Sequence, residues 1–319
     1  MKPYKALCFW DLSFGANILD RLGTIADIVV HEPDHQFLLD HIDQFDVYLS
    51  SLHVRFDKPV IDRADKLKIV ATPSTGLDHL DVNALAQRGI ELQSIKTDYQ
   101  LLDSITATAE MAWALMLAAV RRVPKAYQAA MRGHWARDEF RGNQMSGKTL
   151  GILGVGRLGT MVAAYGQAFR MKVIGCDHSP RHTVPGVEYV DFDTLLRQSD
   201  VISIHIHLNE DNRHLIDATA FEKMKEGVVI VNTSRGAVIK EDDFVNAIKS
   251  GKVGAAGLDV IEGEWRQDLE NHPLIQLARE HECVVIVPHL GGVTFESQTM
   301  SLQFVADRLA DTLKKLDLA

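Results

Sequence analysis

Short runs of β-branched residues alternate with amphipathic stretches along most of the chain. In the first hundred residues, the alternation predicts strands near residues 6–10, 27–31, 47–52, 68–72 and 90–93, with amphipathic segments at 58–64 and 82–87 between them. Strands separated by helical segments are typical of βαβ units in a mainly parallel sheet. A long helical run over residues 101–122 follows, and we expect Val123-Pro124 to end it.

A second series of the same kind begins after a polar stretch at residues 125–149, which we expect to be a packed surface excursion. Strands are predicted at 149–154, 172–177, 201–206, 228–233, 255–260 and 284–287, and a last helix at 295–316. The pattern therefore predicts an α/β protein with two doubly wound parallel-sheet domains. The helical run 101–122 and the last helix are candidates for segments that cross between the domains.

Composition narrows the class of protein. The length of 319 residues suggests two domains. With a formal charge of −9, the chain lacks the basic surface stripe that binds nucleic acid or anionic lipid. Cys8, Cys176 and Cys283 are too few and too scattered for a disulfide framework. The longest apolar run, residues 111–120, is about half of the roughly 20 residues that a spanning helix needs. We therefore expect a soluble, cytoplasmic protein with neither a nucleic-acid nor a membrane partner.

The clearest motif is a glycine-rich turn, with Gly154, Gly156 and Gly159 between a predicted strand and a helix predicted over residues 160–169. In a dinucleotide-binding turn, these glycines allow a tight bend, a close approach of the pyrophosphate and close helix–strand packing. The helix N-terminus then favours the phosphates. Asp177 ends the next predicted strand, where a carboxylate meets adenosine ribose hydroxyls and favours NAD; Arg181, close in sequence, tempers that preference.

Two other patterns suggest alternatives. Residues 142–149 formally match a P-loop, but they precede a predicted strand, whereas a P-loop follows a strand and begins a helix. His205 and His207 lie on one face of a strand and could bind a metal, but the sequence offers no clear third ligand. We therefore expect neither ATP nor a metal, and assign the histidines a structural or cofactor-side role.

Three kinds of reactive side chain follow three predicted strands of the second half. They are Arg235, the nearby acids Glu262 and Glu264, and His289. In a doubly wound sheet, ligands bind beyond the carboxyl ends of the strands. A guanidinium can bind a carboxylate or polarise a carbonyl, and an imidazole can transfer a proton. The pattern predicts a catalytic site with Arg235 and His289, and leaves open which acid joins them.

With these motifs the chain resembles the D-isomer-specific 2-hydroxyacid dehydrogenases, a family that includes glycerate and D-3-phosphoglycerate dehydrogenases. The resemblance covers nearly the whole chain and rests on segments 74–78 (STGLD), 147–159, 232–236 (NTSRG), 257–260 (GLDV) and 288–292 (PHLGG). It implies hydride transfer between NAD(H) and a small D-2-hydroxy acid or 2-keto acid, at the CH–OH group. It also implies a Rossmann NAD domain, residues 103–291, inserted into a flavodoxin-like substrate domain, residues 1–102 and 292–319.

The resemblance further implies the catalytic set Arg235, Glu264 and His289. Glu264 is preferred to Glu262 because it lies five residues after Asp259, as in the family. The implied cofactor contacts are Gly154, Gly156, Arg157, Leu158, Gly159, Asp177, His205, Ile206, Thr233, Ser234, Asp259, Gly291 and Gly292. Backbone N–H groups of Ser74, Thr75 and Gly76, together with Arg235, would receive the substrate carboxylate. A homodimer built around residues 101–122 and 125–149 is the family norm.

The chain departs from the family pattern at three positions. Trp265 and His207 stand where the family usually has proline. Ser51 stands where phosphoglycerate enzymes have an arginine for the phosphate, although Arg55 is near in sequence. The substitution at Ser51 argues against phosphoglycerate as the substrate, and Trp265 is expected to alter the pocket wall. A dinucleotide-sensing module, like the corepressor branch of the family, is the alternative; NADH oxidation with a panel of 2-keto acids separates the two.

Overall fold

The computed structural model describes residues 2–13, 15, 17–178 and 183–317. In this part of the chain, the strands are β1 (Tyr4–Cys8), β2 (Ala26–Val30), β3 (Val47–Leu49), β4 (Ile69–Thr72), β5 (Glu91–Ser94), β6 (Thr149–Leu153), β7 (Lys172–Cys176), β8 (Val187–Tyr189), β9 (Val201–Ile204), β10 (Val228–Asn232), β11 (Val253–Leu258) and β12 (Val284–Ile286). The α-helices are α1 (Asp20–Gly23), α2 (His35–His41), α3 (Lys58–Ile61), α4 (Val82–Gln87), α5 (Tyr99–Asp103), α6 (Ala107–Val120), α7 (Val123–Met131), α8 (Arg157–Ala168), α9 (Phe192–Gln198), α10 (Ala218–Lys223), α11 (Glu241–Lys249), α12 (Pro273–Glu280) and α13 (Phe295–Asp317).

The first compact unit consists of Met1–Ile105 and Thr294–Ala319. Its five strands are all parallel, in the order β2-β1-β3-β4-β5, which is the flavodoxin-like order. Alternate side chains of β1 enter two separate cores, because Ala6 packs in the cluster that contains Leu309 of α13 while Leu7 packs with Tyr48 on the other face. Burial on both faces is typical of a parallel sheet covered by helices.

The second unit consists of Thr106–Val293. Its seven parallel strands have the order β12-β11-β10-β9-β6-β7-β8, the Rossmann arrangement extended by one strand. The order reverses between the neighbours β6 and β9, where Leu153 pairs with Ile204. Ligands bind at such a switch point. The unit boundaries lie three and two residues from the expected 102/103 and 291/292.

The predicted fold class is confirmed, since all eleven predicted strands are present with ends displaced by a few residues. One strand, β8, was not predicted. It has only three residues, Val187–Tyr189, and pairs with β7 alone at the edge of the sheet. A three-residue edge strand is too short to produce a readable alternation of polar and apolar positions.

The nearly uninterrupted helical run expected over residues 101–122 is divided into two helices, α5 and α6. The helical backbone ends after α5 and resumes at α6, and the Ser104 hydroxyl donates to the Leu101 carbonyl at 2.6 Å in the break. A serine hydroxyl that bonds the preceding turn competes with helix continuation. Helix α6 ends at Val120, shortly before Val123-Pro124, and Pro124 lies in the first turn of α7, where the N–H that proline lacks would be unpaired anyway.

The stretch Tyr99–Val120 is long and apolar enough, by length and composition, for a membrane-spanning helix, with a mean hydropathy of 1.2. It is interrupted between α5 and α6, and α6 packs against β10 and β11. Ala112, Leu115 and Met116 are buried in the same core cluster as Val231 of β10. Packing against the Rossmann sheet therefore accounts for the apolar composition of α6.

Candidate active site

The glycine turn joins β6 to α8 at the switch point of the second unit. Gly154 has φ +92°, and a Cβ there would lie 2.8 Å from the backbone oxygen of His205. A Cβ on Gly159 would lie 2.1 Å from the oxygen of Gly154, whereas a Cβ on Gly156 would have open space within 4 Å. The turn thus needs glycine at both ends for its own geometry, and at Gly156 it leaves room for a ligand.

Helix α8 begins at Arg157, three residues before the predicted start at residue 160. Arg157 and Leu158 therefore lie in its first turn, whose backbone N–H groups favour an anion. Asp177 follows β7, and its Oδ2 accepts a hydrogen bond from the Val155 N–H at 2.7 Å. The carboxylate thus lies beside the glycine turn. Arg181 lies outside the described residues.

Two buried polar atoms lack a hydrogen-bond partner among the described residues just after β9 and β10. They are Nδ1 of His205 and Oγ1 of Thr233. Nε2 of His205 lies 2.8 Å from the Ser203 hydroxyl, and burial lowers the pKa of His205 to about 4, so the ring is neutral. Buried polar groups normally have partners. These two atoms, with the open Gly156, fit the bound NAD that the motif requires.

Arg235 lies in a loop shaped by a buried asparagine. Asn232, only 1% exposed at the end of β10, accepts hydrogen bonds from the Ser234 N–H and hydroxyl at 3.0 and 2.8 Å. Its amide donates to the Arg235 carbonyl at 2.9 Å. The Arg235 guanidinium is half-buried and donates to the Ser234 carbonyl at 2.7 Å. Asn232 therefore fixes the direction in which Arg235 leaves the sheet.

His289 and Glu264 form a hydrogen-bonded pair at the ends of β12 and β11. The Nδ1 of His289 lies 2.8 Å from Oε1 of Glu264, and both side chains are largely covered. Burial lowers the pKa of His289, but the hydrogen bond and charge of Glu264, with the charge of Asp259, outweigh burial and the nearby Arg235. The net result is a raised pKa for His289, so the imidazolium is favoured.

Asp259 supports the loop that carries His289. It is 2% exposed, and its two carboxylate oxygens accept the Leu290 and Gly291 N–H groups at 2.6 and 2.9 Å. The His289 N–H donates to the Asp259 carbonyl at 2.9 Å, and His289 itself adopts φ +54°. Burial raises the pKa of Asp259, although His289 and the two backbone donors oppose the shift. Asp259 thus bonds the loop backbone; its contact with NAD stays a prediction.

Glu262 is engaged away from His289. Its two carboxylate oxygens bind Arg213 Nη1 at 2.6 Å and His214 Nε2 at 2.8 Å. Of the two acids that the sequence left open, the structure therefore brings Glu264 and not Glu262 to His289. Trp265, which follows Glu264, is 51% exposed, and its ring centroid lies 6.3 Å from that of His289.

The remaining predicted site residues occupy three places. Ile206 adjoins the glycine turn, since a Cβ on Gly154 would lie 2.8 Å from its Cγ2. Gly292 follows the loop that Asp259 holds. Ser74, Thr75 and Gly76 belong to the first unit, where the Ser74 hydroxyl donates to the Gly76 carbonyl at 2.9 Å. Their contact with substrate stays a prediction.

Sequence reasoning missed the supporting side chains Ser203, Asn232 and His272. Two of them carry a signal, because Asn232 is a polar residue at the end of an apolar run and His272 precedes Pro273 at a helix start. No group of three His, Cys, Asp or Glu side chains among the described residues could hold a metal ion. The segment 142–148 leads into β6, so the P-loop pattern lacks the strand–turn–helix context of a phosphate loop.

Comparison with known proteins agrees with this arrangement. A family described as D-isomer specific 2-hydroxyacid dehydrogenase, NAD binding domain, matches residues 113–291. A hydroxypyruvate reductase of Thermotoga maritima is 38% identical over 82% of this chain and 82% of its own length. A glyoxylate reductase of Thermococcus litoralis is 35% identical over 87% of this chain and 83% of its own length.

A solved structure shares the fold over nearly its full length. The D-lactate dehydrogenase of Aquifex aeolicus, complexed with NAD and lactic acid, aligns with a TM-score of 0.86 and 26% identity, covering 98% of this chain and 96% of that one. The two-domain fold, the glycine turn and the similarity to these relatives all indicate the same family. The chain belongs to the D-isomer-specific 2-hydroxyacid dehydrogenase family and is an NAD-dependent oxidoreductase of 2-hydroxy and 2-keto acids.

Proposed function

We propose that the chain reduces a small 2-keto acid, such as glyoxylate to glycolate or hydroxypyruvate to D-glycerate, with Arg235, Glu264 and His289 as its catalytic residues. The single observation that carries the proposal is the 2.8 Å pair of His289 and Glu264 beside Arg235 in one Rossmann unit. Relatives that match over most of their length act, by name, on these small acids.

The hydrogen bond to Glu264 occupies Nδ1 of His289, so Nε2 is the ring atom that presents a proton to the substrate oxygen. Glu264 keeps the ring oriented and stabilises its imidazolium form, which is the proton donor for reduction. Arg235 binds the substrate carboxylate and polarises the C2 carbonyl. NADH, when bound, supplies the hydride to C2. Transfer of the proton from Nε2 of His289 to the substrate oxygen completes the hydroxyl group and leaves His289 neutral.

Backbone N–H groups of Ser74, Thr75 and Gly76 serve as the second anchor for the carboxylate in this proposal. The polar loop Ser51–His53 lies after β3, the strand that pairs with β4, and the Ser51 hydroxyl bonds His53 Nδ1 at 3.0 Å. A serine in this position offers a hydrogen bond but no charge for a phosphate. We therefore favour a substrate without a phosphate group.

NADH oxidation at 340 nm with glyoxylate, hydroxypyruvate, pyruvate and 3-phosphohydroxypyruvate tests the proposal. We expect turnover to be highest with glyoxylate or hydroxypyruvate, and the reverse reaction to use D-glycerate but not L-glycerate. A protein that binds NADH and reduces none of these acids would be a dinucleotide-binding module instead. Highest kcat/KM with the phosphorylated acid would contradict the assignment of substrate.

We also infer a homodimer and a cytoplasmic setting. Four large apolar side chains on and after α7 are exposed: Val123, Tyr127, Met131 and Trp135, at 50, 64, 67 and 85%. Clustered exposed apolar groups of this kind mark interfaces. Sedimentation should give twice the chain mass of 35.5 kDa, and Tyr127→Lys combined with Met131→Lys should give monomer. The three free cysteines and the use of NAD(H) support a reducing compartment.

A further inference from the structure

The backbone of Glu262, two residues before Glu264, is held from both sides. Its N–H donates to Oε1 of Glu241 at 2.6 Å, and its carbonyl accepts from Nε2 of His272 at 3.0 Å. The same Nε2 lies 3.2 Å from Oε2 of Glu241. Glu241 begins α11 and His272 precedes α12, so groups at the starts of two helices fix the two peptide groups that flank the Cα of Glu262.

His272 performs two separable tasks with its two ring nitrogens. It is 1% exposed, and Nδ1 accepts the Leu274 N–H at 3.3 Å, which caps the N-terminus of α12. Since Nδ1 is an acceptor, the hydrogen-bond pattern assigns the proton to Nε2, and the ring is a neutral donor toward the Glu262 carbonyl. The cap stabilises the helix, whereas the Nε2–H holds the loop.

After Glu262, the chain turns at Gly263, which adopts φ +74°, and then delivers Glu264 to His289. The direction of the Glu262 carbonyl sets the orientation of the peptide that enters this turn. We infer that His272 is a positioning residue of the reductase: its Nε2–H fixes the Glu262 carbonyl and so keeps Glu264 within hydrogen-bond distance of His289. The inference rests on the proposed roles of Glu264 and His289.

The charged groups around His289 and His272 determine how a substitution of His272 would change the pKa of His289. His289 faces Glu264, Asp259 and Arg235, and only the carboxylates raise its pKa. His272 faces Glu241, and the pair Arg266–Asp268 lies within electrostatic range of this cluster. We call the hydrogen bond from His272 Nε2–H to the Glu262 carbonyl the tether. Loss of the tether should lengthen the hydrogen bond from Glu264 to His289, while His289 stays buried. The pKa of His289 should then fall, because burial favours the neutral ring.

Two substitutions separate the tether from the cap. In His272→Asn, the side-chain oxygen replaces Nδ1 as the acceptor for Leu274, but the amide is too short to reach the Glu262 carbonyl. In His272→Gln, the longer amide can donate near the position of Nε2. We expect His272→Asn to lower the pKa of His289 by about 0.5–1 unit and His272→Gln to leave it nearly unchanged.

The primary measurement is an NMR titration of His289 in the protein without substrate, with its resonance assigned by comparison with His289→Gln. It is independent of turnover, so the inference survives if the keto-acid panel fails but the titration shifts as expected. The kinetic pH profile for reduction should move in parallel with the titration if the proposed catalytic roles are also right. NADH affinity, measured by fluorescence titration, should be the same in both variants.

Two results would overturn the inference: a folded His272→Asn protein with the wild-type titration of His289, or an equal shift in His272→Asn and His272→Gln. Equal shifts would mean that the ring shape matters and the Nε2–H does not. If His272→Asn fails to fold, His272→Ser provides the same test, since serine also caps a helix and cannot reach Glu262.

Discussion

The imidazole of His289 and the carboxylate of Glu264 lie 2.8 Å apart, Nδ1 to Oε1, although 25 residues separate them in the chain. The pair raises the pKa of His289 despite its burial. In the proposed mechanism, protonated His289 donates the proton for reduction of the keto acid, so the rate of reduction should be highest below the raised pKa and fall as pH rises through it. Oxidation of the hydroxy acid needs the neutral ring and should show the opposite dependence.

Glu264→Gln should shift both pH dependences to lower pH by about 1–2 units, because it removes the charge while keeping most of the side-chain shape. The measurement is kcat/KM against pH in both directions. Glu262→Gln is the matched control, since Glu262 binds Arg213 and His214 instead of His289, and it should leave both profiles in place. Movement in Glu262→Gln alone would show that the wrong acid has been assigned.

Arg235→Lys should reduce kcat/KM for the keto acid about 100-fold or more, because lysine retains the charge but loses the planar fork that binds a carboxylate. The loss corresponds to about 3 kcal/mol of transition-state stabilisation. NADH affinity should barely change. Arg197→Lys, an exposed arginine paired with Asp193, is the control and should retain full turnover. Near-normal turnover in Arg235→Lys would show that the Arg235 guanidinium does not bind the substrate.

Asp177→Asn should raise kcat/KM with NADPH relative to NADH by about tenfold, since it removes the charge that repels a 2′-phosphate. The amide oxygen can still accept the Val155 N–H that Asp177 now accepts at 2.7 Å, so the glycine turn should keep its shape. Asp217→Asn, which alters a helix cap elsewhere, should leave the ratio unchanged. Equal use of NADH and NADPH by the unaltered protein would contradict the role of Asp177.

Two glycines of the dinucleotide turn should respond differently to alanine. Gly159→Ala places a Cβ 2.1 Å from the Gly154 oxygen and should cost about 1–3 kcal/mol of stability, seen as a fall in Tm. Gly156→Ala meets no atom within 4 Å, so Tm without NADH should be unchanged while NADH affinity falls at least about tenfold. Thermal unfolding and NADH titration measure the two effects; normal NADH binding by Gly156→Ala would refute the assigned pyrophosphate site.

The strand pattern was readable from sequence because burial on both faces leaves continuous β-branched runs, as in Val228–Asn232. The break between α5 and α6 was not readable, because residues 103–106 (DSIT) contain neither proline nor glycine, and the bond from the Ser104 hydroxyl to the Leu101 carbonyl is a feature of the folded chain. Propensity and periodicity indicate which secondary structure a segment can form. Where a helix ends can depend on a side chain that competes for the backbone hydrogen bonds, as Ser104 does here.

Arg235 and His289 could be singled out from the sequence as candidate site residues, because each follows a strand of a parallel sheet. The choice between Glu262 and Glu264 could not be made from residue pattern alone. It depends on Arg213 and His214, which lie 49 and 48 residues from Glu262 in sequence. The role of His272 is likewise hidden, since its partner carbonyl lies ten residues away and its cap is formed by an unusual residue type.

The division of the first unit into Met1–Ile105 and Thr294–Ala319 has a consequence for synthesis. Leu302, Val305, Leu309 and Leu313 of α13 complete the core that β1 and β3 begin. A ribosome translates these leucines and the valine only after the entire Rossmann unit. The continuous Thr106–Val293 unit can therefore fold as it emerges, whereas the core of the first unit stays incomplete until α13 has been translated.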